Sequence, residues 1–422
     1  MSIAVLCGIN WGDEGKGRMV DYLAVDADVV VRYQGGNNAG HTVVNELGTF
    51  HLHLIPSGIC HPQVKNVLGP GMVIDLESLV EEIQSLEKAG VDTGNIYISD
   101  RATVSFPYHR QEDIWEEERL GKNAYGSTRK GIAPAYGDRY LKKAIQVGEL
   151  LKWSQFKERL SHVWEWKRLM TSQLGQDSLI GYEELLQWSE KFGGAIRKYI
   201  CNVTDLLEKA VLERKNVLFE SQLGALRDVY YGIYPFTSSA CTLSAFAPIG
   251  GGLFSHRPER VVGVMKAFST CVGAGPFVTE MSDAVADRLR EKAQEYGATT
   301  GRPRRIGYFD AFASHYGAML QSVTEIAFTK LDSLSGQERL KICTHYEVNG
   351  HSLEHFPIDF TDVQPSYIDL DGWTEDISNC RSFDSLPRNA QRYVLTIEQL
   401  VRYPIRYISV GPKRHELIDR QS

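Results

Sequence analysis

The sequence contains little cysteine, and its cysteines are widely scattered. Seven cysteines occur in 422 residues, and no two have Cys-x-x-Cys spacing. Such a pattern predicts neither a cysteine-based zinc site nor a disulfide framework. We therefore expect the protein to work in a reducing, cytoplasmic compartment.

Long apolar runs and an excess of basic residues are also missing. The first apolar run, residues 3–7, is soon interrupted by the polar stretch 11–16, so we expect no signal peptide and no membrane span. The net charge of −7 lacks the basic footprint of a nucleic-acid-binding protein. What remains is an ordinary globular mixture, with 43% hydrophobic and 23% charged residues, in a chain long enough to bury a large core.

Short apolar strand candidates alternate with longer helical stretches along the chain. The predicted strands are 3–7, 28–33, 217–220, 261–267, 324–328 and 407–410, and the predicted helices are 16–24, 74–88, 179–199, 282–296 and 311–320. This alternation predicts an α/β fold around a mostly parallel central sheet. We expect one large domain, residues 1–422, with a helical insertion at about 148–200.

The first strand leads through a glycine-rich turn into a helix, which is the arrangement that binds phosphate at a helix N-terminus. Gly15-Lys16 resembles the end of a P-loop, but Asn10 replaces a glycine, and Gly17 replaces the hydroxyl residue that normally holds magnesium. Asp13 and Glu14 are candidates to replace that hydroxyl. A carboxylate among phosphate-binding amides suits a metal ligand or a general base.

Four further segments carry polar side chains typical of ligand sites. Residues 37–42 place amide, imidazole and hydroxyl groups just beyond a predicted strand. The loop 126–136 suits a phosphate monoester, and the three arginines of 297–305 suit a carboxylate. For both loops an ordinary solvated basic turn remains the alternative. Residues 329–332, Thr-Lys-Leu-Asp, match the short motif by which GTP-binding proteins recognise guanine.

Together these segments resemble the adenylosuccinate synthetase family, nearly from end to end. The matching stretches are Trp11-Gly-Asp-Glu-Gly-Lys-Gly17, Val31-Arg-Tyr-Gln-Gly-Gly36, Asn38-Ala-Gly-His-Thr42, Leu54-Ile-Pro-Ser-Gly58, Tyr234-Pro-Phe-Thr-Ser-Ser239, Val272-Gly-Ala-Gly-Pro-Phe277, Gly297-Ala-Thr-Thr-Gly-Arg302, Thr329-Lys-Leu-Asp332 and Ser409-Val-Gly-Pro412. Several of them are specific on their own, and their order and spacing exclude coincidence.

The resemblance implies a GTP-dependent ligase of AMP biosynthesis that condenses IMP with L-aspartate to adenylosuccinate through a 6-phosphoryl purine intermediate. It also implies Mg²⁺ and a homodimer. Asp13 would take the N1 proton of the purine, so that O6 attacks the γ-phosphate of GTP. His41 would stabilise or protonate the transferred phosphate.

The resemblance also assigns the other site residues by position. The GTP site would comprise Gly12, Glu14, Gly15, Lys16, Gly17, Thr42, Arg304, Lys330, Asp332, Ser409, Gly411 and Pro412. The purine nucleotide would contact Asn38, Thr128, Lys142, Leu223, Thr237 and Arg302. Aspartate would contact Thr299, Thr300, Arg302 and Arg304, and the metal ligands would be Asp13 and the carbonyl of Gly40.

The departures from the family pattern gather around the purine. The family has Phe-Glu-Gly-Ala-Gln-Gly-Thr-Leu-Leu-Asp where this chain has Phe-Glu-Ser-Gln-Leu-Gly-Ala-Leu-Arg-Asp, residues 219–228. Leu223 thus replaces a glutamine expected at the 6-oxygen, and Gln222 lies one place early. Ala240 replaces an asparagine, and Lys142 replaces an arginine that reaches the partner subunit's site. These changes leave two alternatives open: another 6-oxopurine nucleotide such as dGMP, and a weakened GTP-binding paralogue.

Overall fold

The structure, a computed structural model, describes residues 1–45, 48–173, 179–297 and 301–421. Within them, ten strands form one central sheet, in which all neighbours pair in parallel except the last two in the chain. In spatial order the strands are Leu417–Asp419, Ile405–Ser409, Glu325–Thr329, Arg260–Lys266, Ile3–Gly8, Val217–Gly224, Val29–Arg32, Lys65–Leu68, Ile96–Ser99 and Ile200–Cys201. The predicted α/β fold class is confirmed.

The central strands are buried because helices cover both faces of the sheet. Ile3–Gly8, for example, is buried along its whole length, as expected for a strand in a parallel sheet. The helices are Lys16–Leu23, Leu76–Lys88, Pro107–Leu120, Ile132–Tyr140, Trp153–Gln173, Tyr182–Ile196, Val203–Leu212, Ala247–Gly251, Asp283–Ala293, Ala311–Leu320 and Arg388–Val401. None of the helices in the described ranges is both long and apolar enough to cross a membrane.

The segment predicted as a helical insertion contains two helices, Trp153–Gln173 and Tyr182–Ile196, and the second packs on Leu76–Lys88. Their apolar residues belong to a second hydrophobic cluster, which also contains Leu68 and Ile98 from one end of the central sheet. The helix predicted at 282–296 ends earlier, at Ala293, because Gln294 adopts a left-handed φ of 52°.

Smaller sheets lie outside the central one. The hairpin of His41–Asn45 and Gly48–Leu52 is antiparallel, and Val73–Asp75 pairs in parallel with Thr103–Ser105. Ser269–Cys271 pairs with Arg305–Gly307. A further sheet contains Phe309–Asp310, Arg339–Val348, His351–Ser352 and Gln364–Asp371. The first hairpin begins at His41, so it presents one candidate site residue at its end.

Candidate active site

The loop between Ile3–Gly8 and Lys16–Leu23 is curved by three residues with left-handed backbone. Gly12 has a φ of 100°, Asp13 of 60° and Gly15 of 95°. Successive residues of this kind turn backbone N–H groups inward to form an anion-binding concavity. The predicted strand–loop–helix unit therefore has the geometry of a phosphate site.

Glu14 holds this loop together from within. One carboxylate oxygen accepts hydrogen bonds from the amides of Asn10 at 3.2 Å and Gly12 at 2.8 Å. The other oxygen accepts from Lys16 Nζ at 2.6 Å. The Glu14 side chain is only 2% exposed, whereas that of Asp13 is 31% exposed. Of the two candidate acids, Asp13 is the one whose carboxylate reaches the cleft.

The missing hydroxyl at position 17 has a steric explanation. A Cβ on Gly17 would lie 3.0 Å from the Cβ of His41, which is closer than nearly all real contacts of this kind. The start of the hairpin therefore approaches the phosphate loop so closely that only glycine fits without displacement. The same approach brings the imidazole of His41 to the phosphate site.

His41 is oriented by a buried carboxylate. Its Nδ1 lies 2.5 Å from Glu220 Oε1, and Ser57 donates to Glu220 from both its amide, at 2.8 Å, and its hydroxyl, at 2.6 Å. Burial opposes the charge of Glu220, but His41 and other donors lower its pKa overall. Burial also lowers the pKa of His41. The ionised Glu220 selects the tautomer with a proton on Nδ1, which leaves Nε2 for a ligand.

Asp13 belongs to a chain of charges with Arg304, Glu295 and Lys266. Arg304 Nε donates to Asp13 Oδ2 at 2.9 Å, and its Nη1 donates to Glu295 Oε2 at 2.6 Å. Lys266 Nζ also donates to Glu295, at 2.6 Å. Burial disfavours ionisation of Asp13, but the surrounding cations, Arg304 first among them, lower its pKa. Burial lowers the pKa of Lys266 to about 8.

The guanine-motif residues lie across the cleft. Lys330 has a left-handed φ of 63° and donates from Nζ to the carbonyl of Ala293 at 2.6 Å. Burial raises the pKa of Asp332, although Lys330 and Arg18 oppose this shift. Arg18 donates to the Ser409 hydroxyl and to the Glu416 carbonyl, the latter at 3.0 Å. It thereby ties the 409–416 loop to the helix of the phosphate loop.

These elements enclose a cleft of about 670 Å³. It is lined by residues 13–18, 21, 38–42, 51, 222, 223, 292–297, 304, 329, 330, 332, 333, 409, 411, 412 and 414. The structure thus brings Asp13 and His41 to one cleft with all predicted GTP-site residues except Gly12, which lies under Leu223. The carbonyl-bearing Gly40 and the nucleotide candidate Asn38 line it too.

Other predicted residues lie outside this lining. Thr128 and Arg302 are exposed on neighbouring loops, and Thr237 is half-buried. Lys142 lines a different cavity of about 620 Å³. Thr299 and Thr300 fall outside the described residues.

The loops around the predicted purine site are joined by Arg227, where the family has leucine. Arg227 is buried, with 7% exposure, and its guanidinium donates to the carbonyls of Phe236 and Val272, the latter at 2.7 Å. Phe236 in turn stacks edge-on with Tyr125, their ring centroids being 6.0 Å apart. The three loops that carry Thr128, Thr237 and residues 272–277 are therefore gathered at one place.

Several site residues escaped sequence reasoning. Glu220 lies in the middle of the buried strand Val217–Gly224, and Lys266 ends Arg260–Lys266. A charged residue inside an apolar strand is a usable signal, because a buried charge needs a partner. Glu295 and Arg18 gave no such signal. The partner of Arg18 lies far away in the sequence, since Arg18 and Ser409 are 391 positions apart. Glu295 lies in a predicted helix, where a glutamate is common, although its partners Lys266 and Arg304 are nearer in the sequence.

Comparison with known proteins agrees with this geometry. The sequence model of adenylosuccinate synthetase matches residues 5–418. Adenylosuccinate synthetase 2 of Pseudoalteromonas translucida is 50% identical over 422 residues, covering 100% of both chains. Adenylosuccinate synthetase of Thermoanaerobacter sp. is 43% identical over 421 residues, covering 99% of each.

Solved structures give the same result. The fully ligated adenylosuccinate synthetase from Plasmodium falciparum superposes with a TM-score of 0.94 at 35% identity, over 100% of both chains. The cyanophage S-2L succinoaminodeoxyadenylate synthetase bound to dGMP and dATP shares the fold, with a TM-score of 0.64 at 20% identity over 99% of this chain and 95% of that one. The chain therefore belongs to the adenylosuccinate synthetase family, whose members are GTP-dependent carbon–nitrogen ligases.

Proposed function

We propose that this protein condenses IMP with L-aspartate to adenylosuccinate at the expense of GTP, in AMP biosynthesis in the cytoplasm. The observation that carries the proposal is the single cleft into which the phosphate loop, His41, Arg304 and the guanine motif converge. Phosphoryl transfer requires positioning and charge stabilisation above all, and the cleft offers loop amides, Lys16 and a fixed imidazole for these tasks.

Asp13 acts as the base in the first step. It takes the N1 proton of the purine, O6 forms a bond to the γ-phosphorus of GTP, and the bond to GDP breaks. In the second step the aspartate amine forms a bond to C6, the bond from C6 to O6 breaks, and phosphate leaves with the O6 atom and with the proton that the amine loses. The Asp13 carboxylate is paired with Arg304. When the aspartate substrate draws Arg304 away, the pKa of Asp13 rises and the carboxylate becomes a stronger base.

Residues at the cleft fit a magnesium ion. Mg²⁺ prefers oxygen ligands and is usually bound by one or two carboxylates together with substrate phosphates. Asp13 and the carbonyl of Gly40 would hold it, and it would supply positive charge for the transferred phosphoryl group. The Glu14 carboxylate is engaged by the loop amides and Lys16, so Glu14 contributes to the loop rather than to the metal.

The acceptor nucleotide is tested by direct assay. Purified protein is mixed with GTP, Mg²⁺, aspartate and either IMP or dGMP, and the absorbance of the purine is followed. We expect turnover with IMP. Turnover with dGMP instead would reassign the acceptor, and GTP binding without turnover of any purine nucleotide would identify a weakened paralogue.

The guanine motif leads to a prediction about which triphosphate the protein prefers. A carboxylate at 332 accepts from the N1 and N2 donors of guanine, so Asp332→Asn should raise KM for GTP at least about tenfold, since buried donors lose a charged partner. Xanthosine triphosphate, which carries an acceptor at C2, should become a better substrate. Steady-state kinetics with both triphosphates measures this, and an unchanged preference would remove Asp332 from the pocket.

We also propose a homodimer in which Lys142 reaches the partner's nucleotide. Lys142 is exposed and shares a cavity with Ile249, which is 58% exposed. Tyr140 and Tyr230 nearby are 69% and 68% exposed. Exposed apolar side chains in such number are typical of a surface that binds another protein, and a twofold interface would place both Lys142 side chains symmetrically.

Subunit complementation tests this arrangement. Lys142→Ala should raise KM for IMP, and Asp13→Asn should lower turnover by about 1,000-fold. After subunit exchange, a mixed dimer has one site with an intact Asp13 and the partner's Lys142. Random exchange in an equal mixture makes half of the dimers mixed, so at an IMP concentration well below the KM of Lys142→Ala the mixture should regain about a quarter of wild-type activity. Absence of recovery, with dimers present by sedimentation, would place Lys142 in its own subunit's site or in none.

A further inference from the structure

Gln222 occupies the place where the family has alanine, and its side chain is buried, with 1% exposure. It lies at the end of Val217–Gly224 and extends toward residues 35–38. We propose that Gln222 is a positioning residue that holds the amide of Asn38 with its NH₂ group directed to the nucleotide. This inference rests on the proposed function and concerns how the purine nucleotide is bound.

The orientation of the Gln222 amide follows from its partners. Gln222 Oε1 accepts from Arg32 Nη2 at 2.9 Å and from the backbone amide of Gly36 at 3.2 Å. A guanidinium and a backbone N–H can only donate, so the atom between them must be the oxygen. The Gln222 NH₂ group therefore points the other way.

That NH₂ group fixes Asn38 in turn. Gln222 Nε2 lies 2.6 Å from Asn38 Oδ1, and a donor at this position requires the oxygen of Asn38 to receive it. Asn38 is half-buried and lines the cleft. With its oxygen engaged by Gln222, Asn38 offers Nδ2 to the cleft, where it can donate to an oxygen of the nucleotide.

The surrounding backbone is fitted to Gln222. Gly35 has a φ of 84°, and a Cβ there would lie 1.7 Å from Gln222 Oε1, so the turn accepts this side chain only because residue 35 is glycine. Arg32 is itself fully buried and also donates to the carbonyl of His53 at 2.5 Å. An amide held in this way needs no reordering when the nucleotide binds, which lowers the entropic cost of binding.

A double-mutant cycle between Gln222 and Asn38 tests the proposal. Asn38→Ala should raise KM and Kd for IMP about tenfold, since its hydrogen bond to the nucleotide is lost. Gln222→Ala should raise both about fivefold, because a free Asn38 amide must be ordered by the ligand. If Gln222 acts through Asn38, adding Gln222→Ala to Asn38→Ala should change KM by less than about twofold. KM for GTP should stay near the wild-type value throughout.

A second variant separates positioning from support of the fold. Gln222→Glu keeps an acceptor for Arg32 and Gly36 but removes the donor, so Asn38 must turn its own NH₂ toward position 222 and present oxygen to the ligand. We expect a melting temperature close to wild type and a raised KM for IMP, with the rise absent in the Asn38→Ala background. Asn66→Ala, which removes another buried amide, should lower stability without changing KM.

The outcomes are distinguishable. Wild-type protein that neither binds nor turns over IMP would overturn the proposed function and this inference with it. Wild-type turnover together with additive effects in the cycle, or an unchanged KM in Gln222→Glu, would overturn the role of Gln222 alone. If Gln222→Glu raised KM for IMP even in the Asn38→Ala background, the rise would come from charge or packing rather than from Asn38. That result would also overturn the positioning role of Gln222.

Discussion

Replacing Asp13 by asparagine should lower kcat by about 1,000-fold, within the range of general acid–base catalysis. Asparagine has the same shape but takes no proton from N1 of the purine, so the 6-oxygen stays a poor nucleophile. Nucleotide binding should survive, since asparagine keeps a side-chain oxygen that can accept from Arg304 as Asp13 does. Rapid-quench kinetics and calorimetry with GTP and IMP measure the two effects separately.

A matched control for the Asp13 variant is Asp26→Asn. Asp26 follows the helix of the same loop and is exposed, so its removal changes the net charge equally without touching the cleft. Turnover of this control should remain near wild type. If Asp13→Asn retained turnover within a few-fold of wild type, Asp13 could not be the base. Only its proposed role as a magnesium ligand would then remain.

Replacing His41 by asparagine should lower kcat by about 100- to 10,000-fold. Burial lowers the pKa of His41, so the free imidazole is neutral at neutral pH. An arriving γ-phosphate brings negative charge, which raises that pKa and favours the imidazolium as the phosphate is transferred. The variant should therefore lose turnover far more than affinity for GTP, as single-turnover kinetics and GTP titration would measure.

Glu220→Gln tests how the carboxylate of Glu220 supports His41 while the imidazole ring itself is kept. It leaves the imidazole in place but removes the charge that stabilises the imidazolium, so we expect a smaller loss of kcat than in His41→Asn. His345→Asn, in the remote strand Arg339–Val348, serves as a control and should keep wild-type kinetics. Equal losses in the Glu220 and His345 variants would show that Glu220 does not act on the reaction.

The local pattern of the sequence determined the α/β fold and most of the cleft lining. Short apolar runs such as 3–7 are typical of buried strands. Glycines that follow such a strand indicate a turn that binds phosphate. Asp13, Lys330 and Asp332 were found in this way because each lies in a short motif whose chemistry is local. The loop before Lys16 resembles an incomplete P-loop, and the sequence alone shows which residues of the pattern it lacks.

Only the tertiary structure decided how those motifs depend on distant residues. Gly17 replaces a hydroxyl residue because His41 fills the space beside it, and the sequence shows no link between these positions. The Glu14 carboxylate accepts from loop amides, whereas that of Asp13 pairs with Arg304 at the cleft, although the two acids are adjacent and chemically alike. Gln222 reaches Asn38 across 184 positions. Such pairings depend on the order of the strands in the sheet, and local sequence patterns do not reveal that order.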